Sequence, residues 1–208
     1  MNIKELLEKL DIMIPNPKCE LNYTKDYELL IAVMLSAQCT DKRVNMVTKN
    51  LFAKYDLLSL ANEDLKNIKK TIYSLGNYNK KALYIKGIAQ SLIKFQKGKV
   101  PNDRSYLESL PGIGRKSANV VLAELFNVPT IAVDTHVKRV SQRIGLVNSN
   151  DNVSIIEKKL MKKIKKEDYN KVNHQLILLG RYICTAKKPK CDECLINCRY
   201  KKSQDITS

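Results

Sequence analysis

Lys116 stands where a cation is poorly placed. It falls in the first turn of a helix that starts after Leu110-Pro111-Gly112-Ile113-Gly114, with Arg115 beside it. The positive end of the helix dipole and the neighbouring guanidinium both favour the neutral amine. A neutral amine is a nucleophile. The competing reading is a lysine that only touches phosphate. Asp134 follows the apolar stretch Pro129-Thr130-Ile131-Ala132-Val133 and precedes a second helix. An Asp in that place is first of all an N-cap. A cap of that kind does not exclude a second role for the same carboxylate. His136 reads as a packing or hydrogen-bonding residue.

Gly112 and Gly114 are two of only seven glycines in the chain. Glycine accepts positive φ and lets another backbone come close. A helix N-terminus follows at once, and its free N–H groups suit a phosphate. Ile113 can turn inward to anchor the turn, while Leu107, Leu110, Ala118, Val121 and Leu122 pack the two flanking helices together. The plain alternative is an αα-hairpin with a glycine turn.

Cys184, Cys191, Cys194 and Cys198 form C-x6-C-x2-C-x3-C; Cys19 and Cys39 are isolated. Four reduced thiols this close read as metal ligands rather than disulfides. They suit a cubane iron–sulfur cluster or a structural zinc. Zinc usually takes two close pairs, and only one C-x2-C occurs here, which tilts the reading toward iron–sulfur.

The elements that must position these groups are helical almost throughout. Ile3, Leu6, Leu7 and Leu10 keep helical spacing, and Pro15 and Pro17 end that run. Asp26 is expected to cap a helix over 27–35 that is apolar on nearly every face. Thr40, Asn79 and Asp103 are expected caps of later helices. Period-two alternation is confined to Thr130–Val133. Nine or ten helices with short links predict an all-α fold.

Hydrophobic residues at 44% and charged residues at 28% exclude disorder as the default state. Thirty-seven Lys and Arg against 21 Asp and Glu give a net charge of +16. So basic a chain suits a polyanion, nucleic acid before an acidic membrane surface; lysine enrichment for solubility alone is the plainer account, since only seven of the cations are Arg. The lysines of 158–166 oppose an apolar stripe and read as a solvated face. The N-terminus lacks the apolar core of a signal peptide, and the longest uncharged run, Leu29 to Thr40, is too short to span a bilayer. A cytoplasmic location is expected.

Residues 107–122 resemble the helix-hairpin-helix motif, which grips DNA backbones without reading sequence. That hairpin, with Asp134 eighteen residues after Lys116, is similar to the core of the helix-hairpin-helix DNA glycosylase superfamily. From Glu28-Leu-Leu-Ile-Ala-Val-Met-Leu-Ser-Ala-Gln-Cys-Thr-Asp41 to the last cysteines, the chain resembles the endonuclease III family of bifunctional base-excision glycosylases and AP lyases. Relatives acting on mispaired adenine usually lack a Lys at this position and carry a further C-terminal domain.

The resemblance implies that Lys116 attacks C1′ of the damaged nucleotide while Asp134 activates it and stabilises charge on the sugar. It implies action on oxidised pyrimidines in double-stranded DNA with a damaged or abasic nucleotide, by a monomer independent of membranes and associated with the bacterial nucleoid through DNA. A monofunctional glycosylase using Asp134 and water, or a non-catalytic DNA-binding module, are the alternatives. Gly112, Ile113, Gly114 and Arg115 are the implied backbone contacts, and Gln38 the side chain that fills the gap left by the extruded base. The family's apolar wedge, Ile-Gly-Leu-Tyr, is here Leu75-Gly76-Asn77-Tyr78. Asn77 would hydrogen-bond the orphaned base, or simply form a helix C-cap and turn with Gly76. The family's 4Fe-4S cluster sits on C-x6-C-x2-C-x5-C, so the final loop here is two residues shorter. The cluster would hold Lys187, Lys188 and Lys190 against phosphate. Two helical lobes are implied, with DNA between them: 19–129, with the hairpin at about 105–124, and 1–18 with 130–208, carrying the cysteine loop at 184–198.

Overall fold

The computed structural model describes residues 2–201. Among the described residues every regular element is helical: α1 (Ile3–Met13), α2 (Asp26–Leu35), α3 (Asp41–Lys54), α4 (Leu57–Asn62), α5 (Leu65–Ile72), α6 (Tyr78–Gln96), α7 (Arg104–Ser109), α8 (Arg115–Phe126), α9 (Thr135–Arg143), α10 (Val153–Lys163) and α11 (Tyr169–Tyr182), with two single 3-10 turns. Glu20–Phe126 forms one compact unit; the described residues up to Cys19 and from Asn127 onward form the other. No described helix is long and apolar enough to cross a membrane.

In the Glu20–Phe126 unit, α2 is the central helix. Every residue from Tyr27 to Leu35 is buried, beneath α3, α6 and α8. Truncating one of these leucines to Ala costs about 2–5 kcal/mol. Glu28, buried among them, accepts from the Thr24 N–H at 2.8 Å and hydroxyl at 2.9 Å and from the Lys25 N–H at 3.2 Å. Asp26 does not cap this helix but is its first residue. One carboxylate oxygen takes the Tyr27 N–H, and the other takes the Val100 N–H, both at 2.8 Å, because a long-range loop competes for it. Thr40 caps α3 and Asp103 caps α7 as expected. Asn79 lies inside α6, which starts directly after left-handed Asn77. Six-residue α4, capped by Asp56, is too short to show a period and was not anticipated.

In the second unit, Leu6 and Leu10 of α1 pack with the apolar faces of α9, α10 and α11. Helices α9 and α11 pack closely at Gly180, where a Cβ would lie 2.8 Å from His136 Cβ and 3.1 Å from Val140 Cγ2. Only glycine admits that approach. The stretch over 130–133 forms no strand. It lies extended because α11 supplies acceptors: Asn170 Oδ1 takes the Thr130 N–H at 3.0 Å, and Asn173 Oδ1 takes the Ala132 N–H at 3.1 Å. This fixes the path of the chain into Asp134.

Candidate active site and cysteine centre

The hairpin joins α7 to α8 through residues 110–114. Leu107, Leu110, Ala118, Val121 and Leu122 are all buried, and Ile113 turns inward with 4% exposure. The Ile113 N–H closes the turn on the Leu110 carbonyl at 3.1 Å. Arg104 of α7 donates to the Asn119 side chain of α8 and fastens the helices laterally. The two glycines serve different ends. Gly112 has φ +78°, and a Cβ there would lie 2.5 Å from Tyr84 Cδ2 and 3.1 Å from Met34 Cγ. Gly114 is the N-cap of α8, its carbonyl accepting the Ala118 N–H at 2.9 Å. A Cβ on Gly114 would meet nothing within 4 Å. Its bareness clears space outside the protein.

Lys116 and Arg115 are exposed in the first turn of α8. A cation there costs about 0.3–1 kcal/mol against the helix dipole. Among the described residues the Lys116 ammonium has no hydrogen-bond or ion-pair partner. The first N–H groups of α8 have no acceptor within the helix. The arrangement therefore offers backbone donors for one phosphate with a primary amine beside them.

Asp134 is the N-cap of α9. One carboxylate oxygen, Oδ1, takes the N–H groups of His136 and Val137, both at 2.8 Å. Oδ2 takes no hydrogen bond from a described residue. The cap fixes the carboxylate and leaves one half-buried oxygen to act. His136 Nδ1 lies 3.2 Å from Arg139 Nη2, which fits a packing role.

Gln38 and Asn77 are both exposed and both left-handed, at φ +58° and +57°. The structure brings them together: Asn77 Nδ2 donates to Gln38 Oε1 at 3.4 Å.

All four cysteines line one cavity, with Ile144, Leu179, Ile183 and Ile196 supplying its apolar wall. Burial pushes the thiols of Cys191 and Cys194 up, and the neighbouring cysteines add to the shift. Despite the shorter last loop, Cys198 reaches the same cavity, because its N–H turns back onto the Ile196 carbonyl at 3.1 Å. Among the described residues no three Cys, His, Asp or Glu side chains converge where a single ion could sit. The four thiols that line this one cavity match the four thiolates a cubane cluster takes, and would ligate its iron.

Sequence reasoning missed the groups that hold this loop. Arg139 donates to the Cys184 carbonyl at 3.1 Å and the Gly180 carbonyl at 2.7 Å. Arg143 donates to the Thr185 carbonyl at 2.6 Å and Cys184 Sγ at 3.4 Å, and stacks 4.0 Å from the Tyr200 ring centre. Their i, i+4 spacing on α9 was the available signal. Lys187 and Lys188 stand exposed on the loop, and Lys190 pairs with Glu193 at 3.3 Å.

Residues 31–166 match the HhH-GPD superfamily of base excision DNA repair proteins, and residues 184–197 match the iron-sulfur binding domain of endonuclease III. The chain is 46% identical to endonuclease III of Bacillus subtilis (strain 168), covering 99% of this chain and 96% of that one. It is 45% identical to endonuclease III of Escherichia coli (strain K12), covering 97% of each. A solved trapped endonuclease III–DNA covalent intermediate superimposes with a TM-score of 0.93 at 45% identity, over 98% of this chain and 97% of that one. The cofactor of the cysteine centre is a 4Fe-4S cluster. A helix-hairpin-helix fold, a cluster-binding cysteine loop and full-length relatives place the chain in the endonuclease III family of the HhH-GPD superfamily.

Proposed function

We propose that Lys116 is the nucleophile and Asp134 the charge-stabilising carboxylate of this chain's reaction, base-excision glycosylase and AP lyase action on oxidised pyrimidines. The substrate is read as double-stranded DNA bearing a damaged or abasic nucleotide, bound by a monomer. The observation that carries the reading is the Lys116 amine, set in the first turn of α8 with no partner among the described residues.

The hairpin takes a backbone phosphate on the first N–H groups of α8, with Gly114 giving clearance, Gly112 and Ile113 holding the turn and Arg115 adding charge. Lys187, Lys188 and Lys190 add further phosphate contacts. The target nucleotide leaves the stack, and Gln38 and Asn77 occupy the space left behind. As the glycosidic bond breaks, positive charge grows on the sugar, and the free oxygen of Asp134 lowers its energy. The Lys116 amine, its ammonium proton given up to solvent, bonds to C1′ as the base departs with the bonding electrons and is protonated by solvent. The nitrogen then gives up one proton, its lone pair breaks the C1′–O4′ bond, O4′ takes up a proton, and a protonated Schiff base results. That cation acidifies C2′–H; the proton goes to a base, the C2′ electrons form a double bond, and the C3′–O bond breaks with the phosphate as leaving group. Water then releases Lys116. The iron–sulfur cluster, when bound, cross-links the cysteine loop. A relative of 45% identity forms a covalent intermediate with DNA, in keeping with an amine nucleophile.

Borohydride reduction on an abasic duplex tests this. The wild-type chain should give a covalent protein–DNA adduct and Lys116→Ala none. Absence of an adduct from the wild type overturns the assignment.

A further inference from the structure

We propose that Lys81 is a positioning residue for base extrusion: its buried ammonium fixes the backbone on which Gln38 is presented to DNA. The inference rests on Gln38 filling the vacated space.

Lys81 lies on α6 and is only 4% exposed. An ammonium so buried must find an acceptor for each of its three N–H bonds. It finds them at the Leu35 carbonyl (2.9 Å), the Ala37 carbonyl (2.9 Å) and Cys39 Sγ (3.3 Å). All three lie in the five residues that leave the C-terminus of α2. The last carbonyls of a helix lack partners and carry the negative end of its dipole, so a cation belongs there. This cation does more than cap, because two of its acceptors, on Ala37 and Cys39, bracket Gln38.

Gln38 is left-handed at φ +58°. A non-glycine residue adopts that conformation at a cost and keeps it only where its surroundings impose it. The Ser36 carbonyl, which takes the Cys39 N–H at 3.1 Å, and the Lys81 ammonium are what impose it. One turn before Lys81, at the N-cap of the same helix, stands Asn77, also left-handed, whose amide reaches Gln38 Oε1 at 3.4 Å. One buried cation therefore sets the spacing between the two exposed turns. Both side chains are held outward before DNA arrives, so the ordering cost does not fall on binding.

The test uses the full-length, cluster-loaded protein and two duplexes, one with a stable abasic-site analogue and one undamaged. The readout is the ratio of the two affinities, which a loss of general stability does not move. Lys81→Met keeps the length of the side chain and removes its donors. It should lower the ratio by the same factor as Gln38→Ala, about tenfold, while leaving affinity for undamaged duplex unchanged. The double variant should fall no further than either single one. A wild-type ratio in Lys81→Met, or additive losses in the double variant, overturns the proposal even where Gln38→Ala lowers the ratio. A wild-type ratio in Gln38→Ala instead overturns the filling role, and the proposal with it. If Lys81→Met does not fold, Lys81→Arg takes its place, since its fork cannot serve all three acceptors from one nitrogen; a wild-type ratio there is equally decisive.

Discussion

If the hairpin grips DNA as proposed, its two glycines separate folding from that grip, and alanine at each should do different damage. At Gly112 the φ of +78° forces alanine into the left-handed region, at about 1–2 kcal/mol. Its Cβ would also lie 2.5 Å from Tyr84 Cδ2 and 3.1 Å from Met34 Cγ. Relieving such overpacking costs a further 1–3 kcal/mol or so. Together Gly112→Ala should destabilise the chain by about 2–5 kcal/mol. At roughly 2–4 °C per kcal/mol for a chain of this size, that lowers Tm by about 10 °C. Gly114→Ala meets no atom within 4 Å. It should cost only about 0.5 kcal/mol as a poorer N-cap. Its methyl group instead stands where a phosphate would approach α8. Loss of one charge-assisted hydrogen bond, about 1.5–3 kcal/mol, weakens DNA binding by roughly 10- to 100-fold. Thermal unfolding measures the first effect, and titration of an abasic-analogue duplex at fixed salt measures the second. Equal Tm losses in the two variants, or wild-type affinity in Gly114→Ala, would refute this division of labour.

Asp134→Asn retains an acceptor for the His136 and Val137 N–H groups, so Tm and DNA affinity should stay near wild type while single-turnover excision falls by about 10²–10³-fold; unchanged turnover removes the carboxylate from the chemistry. Cys198→Ser should strip iron and the brown visible absorbance from the purified protein, and an intact cluster in that variant would mean the fourth ligand lies elsewhere. The Lys159 ammonium, at 2.7 and 2.9 Å, and the Asn148 N–H hold the Asp151 carboxyl below its ordinary range. A depressed carboxyl stabilises the fold above its unfolded-state titration and loses that contribution as pH falls through the folded-state value. Asp151→Asn should therefore show a shallower fall of Tm on acidification, and identical profiles would discount the pair.

What could be read from the sequence was what is local. The burial of α2 followed from apolar residues on every face, and the hairpin from glycines placed between two apolar-faced helices. Asp134 announced itself as a cap because capping needs only the next three residues. The misreadings came where distant chain competes. Asp26 looks like a cap until the Val100 N–H claims one of its oxygens. Asn79 looks like a cap until Asn77 turns left-handed two residues earlier. The two-residue shortening before Cys198 is absorbed locally, by a turn onto Ile196 that brings the thiol to the cavity.

The segments to which we assign the extrusion, charge-stabilising and cluster-binding roles share one device that no local pattern displays. Each is irregular, so its backbone groups lack helical partners. Each is held by a side chain from a distant helix: Lys81 on the Gln38 turn, Asn173 on the approach to Asp134, and Arg139 and Arg143 on the cysteine loop. A helix is stiff because its own ladder is complete, whereas a loop becomes stiff only when its polar groups are satisfied from outside. Precision at a reacting centre requires stiffness. The helices therefore do more than frame these loops: their buried and half-buried polar side chains determine where the loops lie, and substitutions there should impair function without touching DNA.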